Sequence, residues 1–382
     1  PPRRVPRHHS NACGSMSLVF DPERHVAAAT TGLLLDEEDY EARVEASLYT
    51  YLNVLRDGWF PAGLTAHTGI VRQLVNHRLD LATMRQSRHW PREQIAISDD
   101  PHAAVAEICR ATRAGIDALR AQGPIVSTLT AGNETRMLLS MCRDIARDLA
   151  FVTVDGTETR LDATRAEEIA QRHGLDLRKL AIVRATDDGA WAWHARAGHC
   201  IGGPNMWTHP SVRPLVGAGT LVGGRGGEIG RGFFWRTSDA ASTHVGPETI
   251  VGRFGMPSHP QVLQAVARWY PSVTVFDPFL RLDLAYLELR MGCWAFAQAY
   301  VLPEVPAIHP MISRRAFASM LALPVEWRRN GTMIRTAIAR EWPELLDLPI
   351  NRYGDYRDTL RFVERAVRQP HLVLKKARKL FA

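Results

Sequence analysis

Two short glycine-bearing segments hold the residue types that can do chemistry in this chain. The first is Ser127-Thr-Leu-Thr-Ala-Gly-Asn-Glu-Thr-Arg136. It reads as a β-branched strand over 125–130, a tight turn of small hydroxyl residues, and a helix from Glu134. Backbone N–H groups at such a helix start, the hydroxyls of Thr130 and Thr135 and the cation of Arg136 together suit an anion such as pyrophosphate. Neither GxxxxGK[ST] nor GxGxxG is present, and an ordinary strand-to-helix connection has the same spacing. The second segment is Gly223-Gly-Arg-Gly-Gly-Glu-Ile-Gly-Arg-Gly-Phe-Phe-Trp235, after a small apolar strand over 220–222. Its glycines let backbone approach a ligand closely. Glu228 is a candidate ligand for a Mg2+ ion on phosphate oxygens, and Arg225 and Arg231 are candidates to neutralise charge on a leaving group. The alternative for this stretch is a flexible glycine loop with a solvated carboxylate.

The elements that must hold these loops follow from periodicity. Apolar residues at Val105, Ile108, Thr112, Ile116 and Leu119 predict a helix over 101–122, with Gly115 inside it and Gly123-Pro124 stopping it. After the strand at 125–130 the pattern predicts a helix over 134–149, a strand over 151–154, a helix over 164–173 closed by Gly174, and a strand over 180–183. Strands and helices that alternate in this way predict an α/β domain with a parallel sheet and helices on both faces. Upstream, 1–15 reads as a disordered arm, Ser17 to Phe20 as an edge strand, 37–55 as one amphipathic helix, and 59–90 as loops and small strands. Residues 258–300 and 311–346 are helical in pattern.

Composition bounds the function classes. The 382 residues, 46% hydrophobic and 23% charged, suit a folded protein of one large and one smaller domain rather than a disordered or fibrous chain. Only four of the 47 basic residues are lysines, Lys179, Lys375, Lys376 and Lys379. From Arg357 onward eight basic and two acidic side chains account for +6 of the net +7. The body is therefore nearly neutral, which argues against a surface that tracks nucleic acid. The five cysteines are scattered without zinc spacing, and the most apolar stretch, around 292–305, is too short to span a bilayer. The expectation is a cytoplasmic protein without a membrane span.

The order of motifs resembles the asparagine synthase family, PP-loop ATP pyrophosphatases. Thr130-Ala-Gly-Asn-Glu-Thr135 stands where the family has SGGxDS, and 162–174 matches its xxxAxxxAxxxG helix. Gly226-Gly-Glu-Ile-Gly-Arg-Gly-Phe-Phe234 resembles its later acidic glycine loop. Gln261 to Arg268, Pro278-Phe-Leu-Arg281 and Gly331 to Arg335 resemble its arginine helix, its PFLD segment and its closing element. Leu48 to Phe60, Thr65 to Ile70 and Arg88 to Pro91 resemble the end of its glutaminase domain. The family's nucleophilic amino-terminal cysteine is missing, and too few residues precede Glu37 for a complete glutaminase sandwich.

The resemblance implies a PP-loop fold with a truncated glutaminase-like domain over 16–100, a synthetase-like domain over 101–355 and a basic tail over 356–382. It implies an AMP-forming amide ligase, using ATP and Mg2+, that does not itself hydrolyse glutamine. ATP would be held by Ser127, Thr130, Ala131, Gly132, Asn133, Glu134, Thr135 and Arg136, with Thr153 on the next strand and Gly226 and Gly227 in the second loop. Glu134 and Glu228 would hold the metal, and Glu228, Arg231 and Arg335 would act in catalysis. The partners implied are a small-molecule or carrier-bound carboxylate and an amine donor, with a second copy of the chain or a partner amidotransferase as protein partners. The family's catalytic lysine has no counterpart between Lys179 and Lys375, where Arg328, Arg329 and Arg335 stand instead. Asp283 is a candidate to replace the contact of the PFLD aspartate, whose place is taken by Arg281. A catalytically degenerate nucleotide- or partner-binding protein and an RNA-modifying or anionic-surface-binding PP-loop protein are the alternatives.

Overall fold

A computed structural model describes residues 7–16, 18–56, 58–299 and 304–368. Two small antiparallel sheets form its N-terminal part. In one, β1 (Arg7–His9) pairs with a later strand; in the other, β2 (Val19–Asp21) lies between β3 (Val26–Ala28) and β4 (Val71–Arg72). The first sheet is completed by β5 (His77–Asp80) and β6 (Arg85–Arg88). Two expectations change here. Residues 7–16 are packed rather than free, since β1 pairs with β5 and Cys13 is fully buried. The edge strand expected at 17–20 is instead the central strand Val19–Asp21, with Val19 and Phe20 both buried.

The helix expected over 37–55 is two, Glu37–Ala42 and Ala46–Tyr51. Between them the backbone leaves the helix to bond another segment: Glu45 N donates to Ala66 O at 2.8 Å, and Arg43 O accepts from Thr68 N at 2.8 Å. Apolar spacing of three and four survives such a break, which is why periodicity alone missed it. This part shares its core with the rest of the molecule. Leu48, Leu52, Trp59 and Phe60 cluster with Ile201, Phe254 and Leu289, and Ala62 N donates to Leu289 O at 2.9 Å. Glu288 reinforces the junction, accepting from Asn76 at 3.2 Å, from Trp269 Nε1 at 2.7 Å and from Arg88.

The second half is an α/β unit. Its strands β7 (Ile125–Thr128), β8 (Ala150–Asp155), β9 (Asp176–Ala181), β10 (Thr220–Val222) and β11 (Ala307–Ile308) form one sheet in the order β11-β10-β7-β8-β9, every pair parallel. β9 begins four residues earlier than expected. It is an edge strand, so its Asp176, Arg178 and Lys179 face water and hide it from any search for an apolar run. One face of the sheet gives Ile125, Leu129 and Phe151 to the main core, where they meet Val105, Ile108 and Ile116 of the Pro101–Arg120 helix and Ala166 and Ile169 of the Arg160–His173 helix. The other face gives Val126, Val152 and Leu180 to a smaller cluster closed by Leu215 of the His209–Leu215 turn of helix and by Val305. The long helices therefore pack on one face.

Local chemistry explains the boundaries. Asp100 caps the Pro101–Arg120 helix by accepting from Ala103 N, with proline at the first position. Gly174 ends the Arg160–His173 helix in the left-handed region, φ 66°. Gly115, costly in a helix interior, leaves space for Pro310: a Cβ there would lie 3.2 Å from the proline ring. The helix expected over 134–149 spans Asn133–Ser140, and Met141 and Cys142 tighten its end by donating to Leu138 O and Leu139 O. At the C-terminal end, Tyr356–Arg368 is a helix with Tyr356, Leu360, Phe362 and Val363 exposed, and the amphipathic stretch expected around 373–380 lies outside the described residues. No helix among the described residues is long and apolar enough to cross a membrane.

Candidate functional site

In this sheet β8 and β9 lie to one side of β7, and β10 and β11 to the other. Chain order thus reverses between β7 and β10, and the carboxyl ends of those two strands flank the crevice where open α/β sheets bind ligands. Both glycine-bearing loops leave from there. They also touch. A Cβ on Gly224 would stand 2.6 Å from Glu134 C and 2.7 Å from Thr135 N, and one on Gly227 would stand 2.9 Å from Glu134 Cγ. Glycine is required at 224 because backbone lies against backbone.

The first loop is knitted by its own polar atoms. Thr130 and Thr135 hydroxyls meet at 2.7 Å, Gly132 N donates to Thr130 Oγ1 at 3.0 Å, and Ala131 N donates to Asp162 Oδ1 at 3.0 Å. No side chain caps the Asn133–Ser140 helix. The N–H groups of Asn133, Glu134 and Thr135 therefore have no carbonyl acceptor within the helix and mark its positive end. Glu134 meets Arg231 of the second loop at 2.5 Å. Glu228 accepts from Gly226 N at 2.8 Å and from Tyr286 OH at 3.2 Å.

These groups face one cleft of about 760 Å³, within the range of small-molecule sites. Toward β8 and β9 its wall is Val154, Ile182, Pro204 and Val212; at β7 it is Thr128, Glu134 and Thr135; at β10 and β11 it is Gly223, Gly224, Arg225, Ala307 and His309. Glu228, Arg231, Phe233, Tyr286, Arg290 and Trp294 complete it. Burial raises the pKa of Glu134 against the opposing pull of Arg231, and the nearby Glu228 raises it further. Burial, then Arg225, pushes His309 down to about 4, so the imidazole is neutral at pH 7.

Of the residues expected at the site, Glu134, Thr135, Glu228 and Arg231 line the cleft. Thr130, Ala131, Gly132, Asn133, Gly226 and Gly227 shape the two loops behind it. Ser127 is buried in the β7 ladder, level with Phe151 and Val222, and Thr128 lines the cleft in its place. Thr153 is buried on the opposite face of β8 from Val154, which lines the cleft.

Two arginines lie elsewhere. Arg136 is fully buried and donates to the carbonyls of Leu345 at 3.2 Å, of Pro349 at 3.2 Å and of Leu348, so it clamps the 345–349 segment and carries no anion site. Arg335 is exposed on the Thr332–Glu341 helix and donates to Asn330 O at 2.7 Å. Arg328 is paired with Asp283 at 2.8 Å and Arg329 donates to Asp239 O at 2.7 Å. Asp283 does take up a structural contact, while Arg281, in the PFLD-like segment, donates to Thr274 O at 2.7 Å, and neither lines the cleft. His194 and His199 are stacked on each other at 4.6 Å, away from the cleft, and His209 lines it.

Sequence reasoning missed Tyr286, Trp294 and His309. Tyr286 and Trp294 sit in helix and give no local signal, and β11, the strand that delivers His309, is only two residues long. Replacing Gly224 with alanine drives a methyl into the Glu134–Thr135 backbone and is expected to cost about 1–3 kcal/mol of stability. The same change at Gly252, where a Cβ meets nothing within 4 Å, is expected to be neutral or slightly stabilising. Urea denaturation of the two variants checks this, and equal effects would show that the loops do not need their close contact.

No protein-family model matches the chain, and no curated protein matches it.

Proposed function

We propose that the chain is an ATP-dependent, AMP-forming ligase of the asparagine-synthase kind, which joins an amine to a carboxylate, and that its α/β unit is a PP-loop domain. One observation carries the reading: two glycine loops at the switch point of a parallel sheet meet, and turn Glu134, Glu228, Arg225 and Arg231 into one cleft. In the proposed reaction a carboxylate oxygen attacks the α-phosphorus of ATP. The new O–P bond forms as the bond to the pyrophosphate oxygen breaks. The amine nitrogen then attacks the acyl carbon, the C–O bond to AMP breaks, and the nitrogen gives up a proton.

The chain's own groups suit the electrostatic part of this work. The N–H groups at the Asn133 to Thr135 helix start, which lack carbonyl acceptors within the helix, and the guanidinium groups of Arg225 and Arg231 oppose negative charge on pyrophosphate, while Val154, Ile182 and Pro204 offer an apolar wall for a base. Mg2+ fits the donor set. Glu134 Oε1 is buried with Arg231 as its partner at 2.5 Å, and Glu228 lies close enough to raise its pKa. One or two carboxylates plus substrate phosphates are the usual ligands of this ion, which would supply neutralising charge there. Arg231 would then exchange Glu134 for a phosphate oxygen.

The test is ATP–pyrophosphate exchange across a panel of carboxylates. Exchange is expected with the native chain, falling roughly 100- to 1,000-fold in Glu228→Gln and staying within about twofold in Arg335→Ala, whose side chain is exposed outside the cleft. A second reading, nucleotide binding without turnover, is favoured by the absence of any lysine lining the cleft among the described residues. ATP binding in equilibrium dialysis with no exchange would select it, and absence of both would sink the proposal.

A further inference from the structure

Arg290 sits at the end of the cleft formed by the second loop and the helical run Ala285–Met291. That run is wound more widely than an α-helix, with the i→i+5 spacing often found where helices carry function. It sends Tyr286 and Arg290 to the cleft while Glu288 goes to the junction with the N-terminal sheets. Four rings surround the Arg290 guanidinium. Its central carbon lies 4.9 Å from the ring centres of Phe233 and Trp294, and 5.6 Å from those of Tyr286 and Trp59.

Rings stabilise a cation but do not satisfy its N–H groups. Arg290 Nε is buried with no hydrogen-bond partner, and among the described residues no carboxylate forms an ion pair with it. Burial lowers its pKa. Glu228 is near, but its oxygens are already held by Gly226 N and Tyr286 OH. A partly dehydrated guanidinium that opens into a cleft without a carboxylate in contact is a receptor for an anion. The collar selects what that anion is attached to. Phe233 is 46% exposed and offers its surface to an incoming body, and Trp294 holds the neighbouring Arg225 by accepting from its Nη1 at 3.2 Å through the backbone carbonyl.

We infer that Arg290 receives the carboxylate of the acceptor, and that the rings of Phe233, Tyr286 and Trp294 receive a flat apolar group next to it, so that the acceptor is an aryl- or alkyl-substituted carboxylic acid. This rests on the ligase reading for what happens next: one oxygen on the guanidinium leaves the other to attack phosphorus.

Binding can be measured without ATP. The probes are 3-phenylpropionate, its neutral amide 3-phenylpropanamide, and acetate, titrated calorimetrically and by the quenching of tryptophan fluorescence. The acid is expected to bind at least tenfold more tightly than either the amide or acetate. Arg290→Gln is expected to remove at least tenfold of that affinity, and Arg290→Lys, a point charge without the planar fork, threefold or more. Arg340→Gln, on an exposed helix face away from the cleft, is expected to leave it unchanged. Equal binding of acid and amide, full affinity in either Arg290 variant, or no binding of the acid to the native chain overturns the inference. If Arg290→Gln unfolds, Arg290→Lys decides the question alone. Arg290-dependent binding without pyrophosphate exchange would leave this site standing and remove the ligase, whereas exchange that ignores Arg290 would do the reverse.

Discussion

Replacing Arg328 with methionine is expected to lower the stability of the fold by about 3–5 kcal/mol. Arg328 and Asp283 are both almost fully buried, and they meet at 2.8 Å. The same guanidinium donates to Ile229 O at 2.7 Å and lies 4.3 Å from the ring centre of Trp235. Burial already pushes Asp283 up to about 6 even with Arg328 opposing it. Without the arginine the carboxyl must stay protonated or carry an unpaired charge in the core. Because its folded pKa lies above the unfolded value, its contribution to stability is present at low pH and falls as pH rises through about 6. The loss in Arg328→Met is therefore expected to be larger at pH 8 than at pH 5. Adding Asp283→Leu to the variant is expected to recover most of the loss, since a packed apolar pair avoids the desolvation cost. Urea denaturation at both pH values measures this. A single-variant loss below about 1 kcal/mol would mean that Arg328 is not the clamp that holds the second loop by its Ile229 carbonyl.

The second large effect is acid lability centred on three stacked histidines. His67 and His199 stack at 5.8 Å and His199 and His194 at 4.6 Å, with Tyr49 OH 2.7 Å from His194 Nε2. Burial holds each of the three at about 4, below the ordinary 6.5, and neighbouring imidazoles add to this for His67 and His194. Between those values the unfolded chain binds protons that the folded chain refuses, so stability is full above pH 6.5 and drains away as pH falls toward 4. At pH 5 each depressed histidine costs about 2 kcal/mol, and the stack together costs roughly 4–6 kcal/mol, since the three titrate as neighbours. Thermal melts at pH 7.5 and pH 5.0 are expected to differ by about 5–8 °C. His67 offers a clean control because both its ring nitrogens are buried without partners. His67→Phe is expected to be neutral or mildly stabilising at pH 7.5, to gain about 2 kcal/mol over the native chain at pH 5, and to lower the proton uptake on unfolding by about one. An unchanged pH slope in that variant would remove His67 from the effect.

The same contacts explain which parts of the molecule could be read from residue order. β10 was legible to the residue, and β7 at its start, because a β-branched or apolar run between glycines has few other conformations. The Arg160–His173 helix was legible at its end because Gly174 takes a left-handed conformation that most side chains avoid. The two loops were legible as loops, and their glycines as points of close approach. β9 was displaced because an edge strand needs no apolar run, and the helix over 37–55 was broken by backbone hydrogen bonds to a segment some twenty residues away.

The arginines mark the boundary between the two kinds of information. Turn, cap and strand preferences act between a residue and its near neighbours, so residue order is enough to place them. A guanidinium has no such preference. Arg136, Arg225, Arg231, Arg290, Arg328 and Arg335 are the same group on the same flexible stem, and three of them line the cleft while three do not. Arg136 is removed by carbonyls more than 200 residues away, Arg328 by Asp283, and Arg335 by its place on an exposed helix face. Arg290 is brought in by a widened helical turn and by rings from its own helical run, from Trp59 and from Phe233 of the second loop. Long side chains take their function from whichever partners folding delivers, and in a chain with 43 arginines and four lysines only the packed structure tells the structural cations from those that face a ligand.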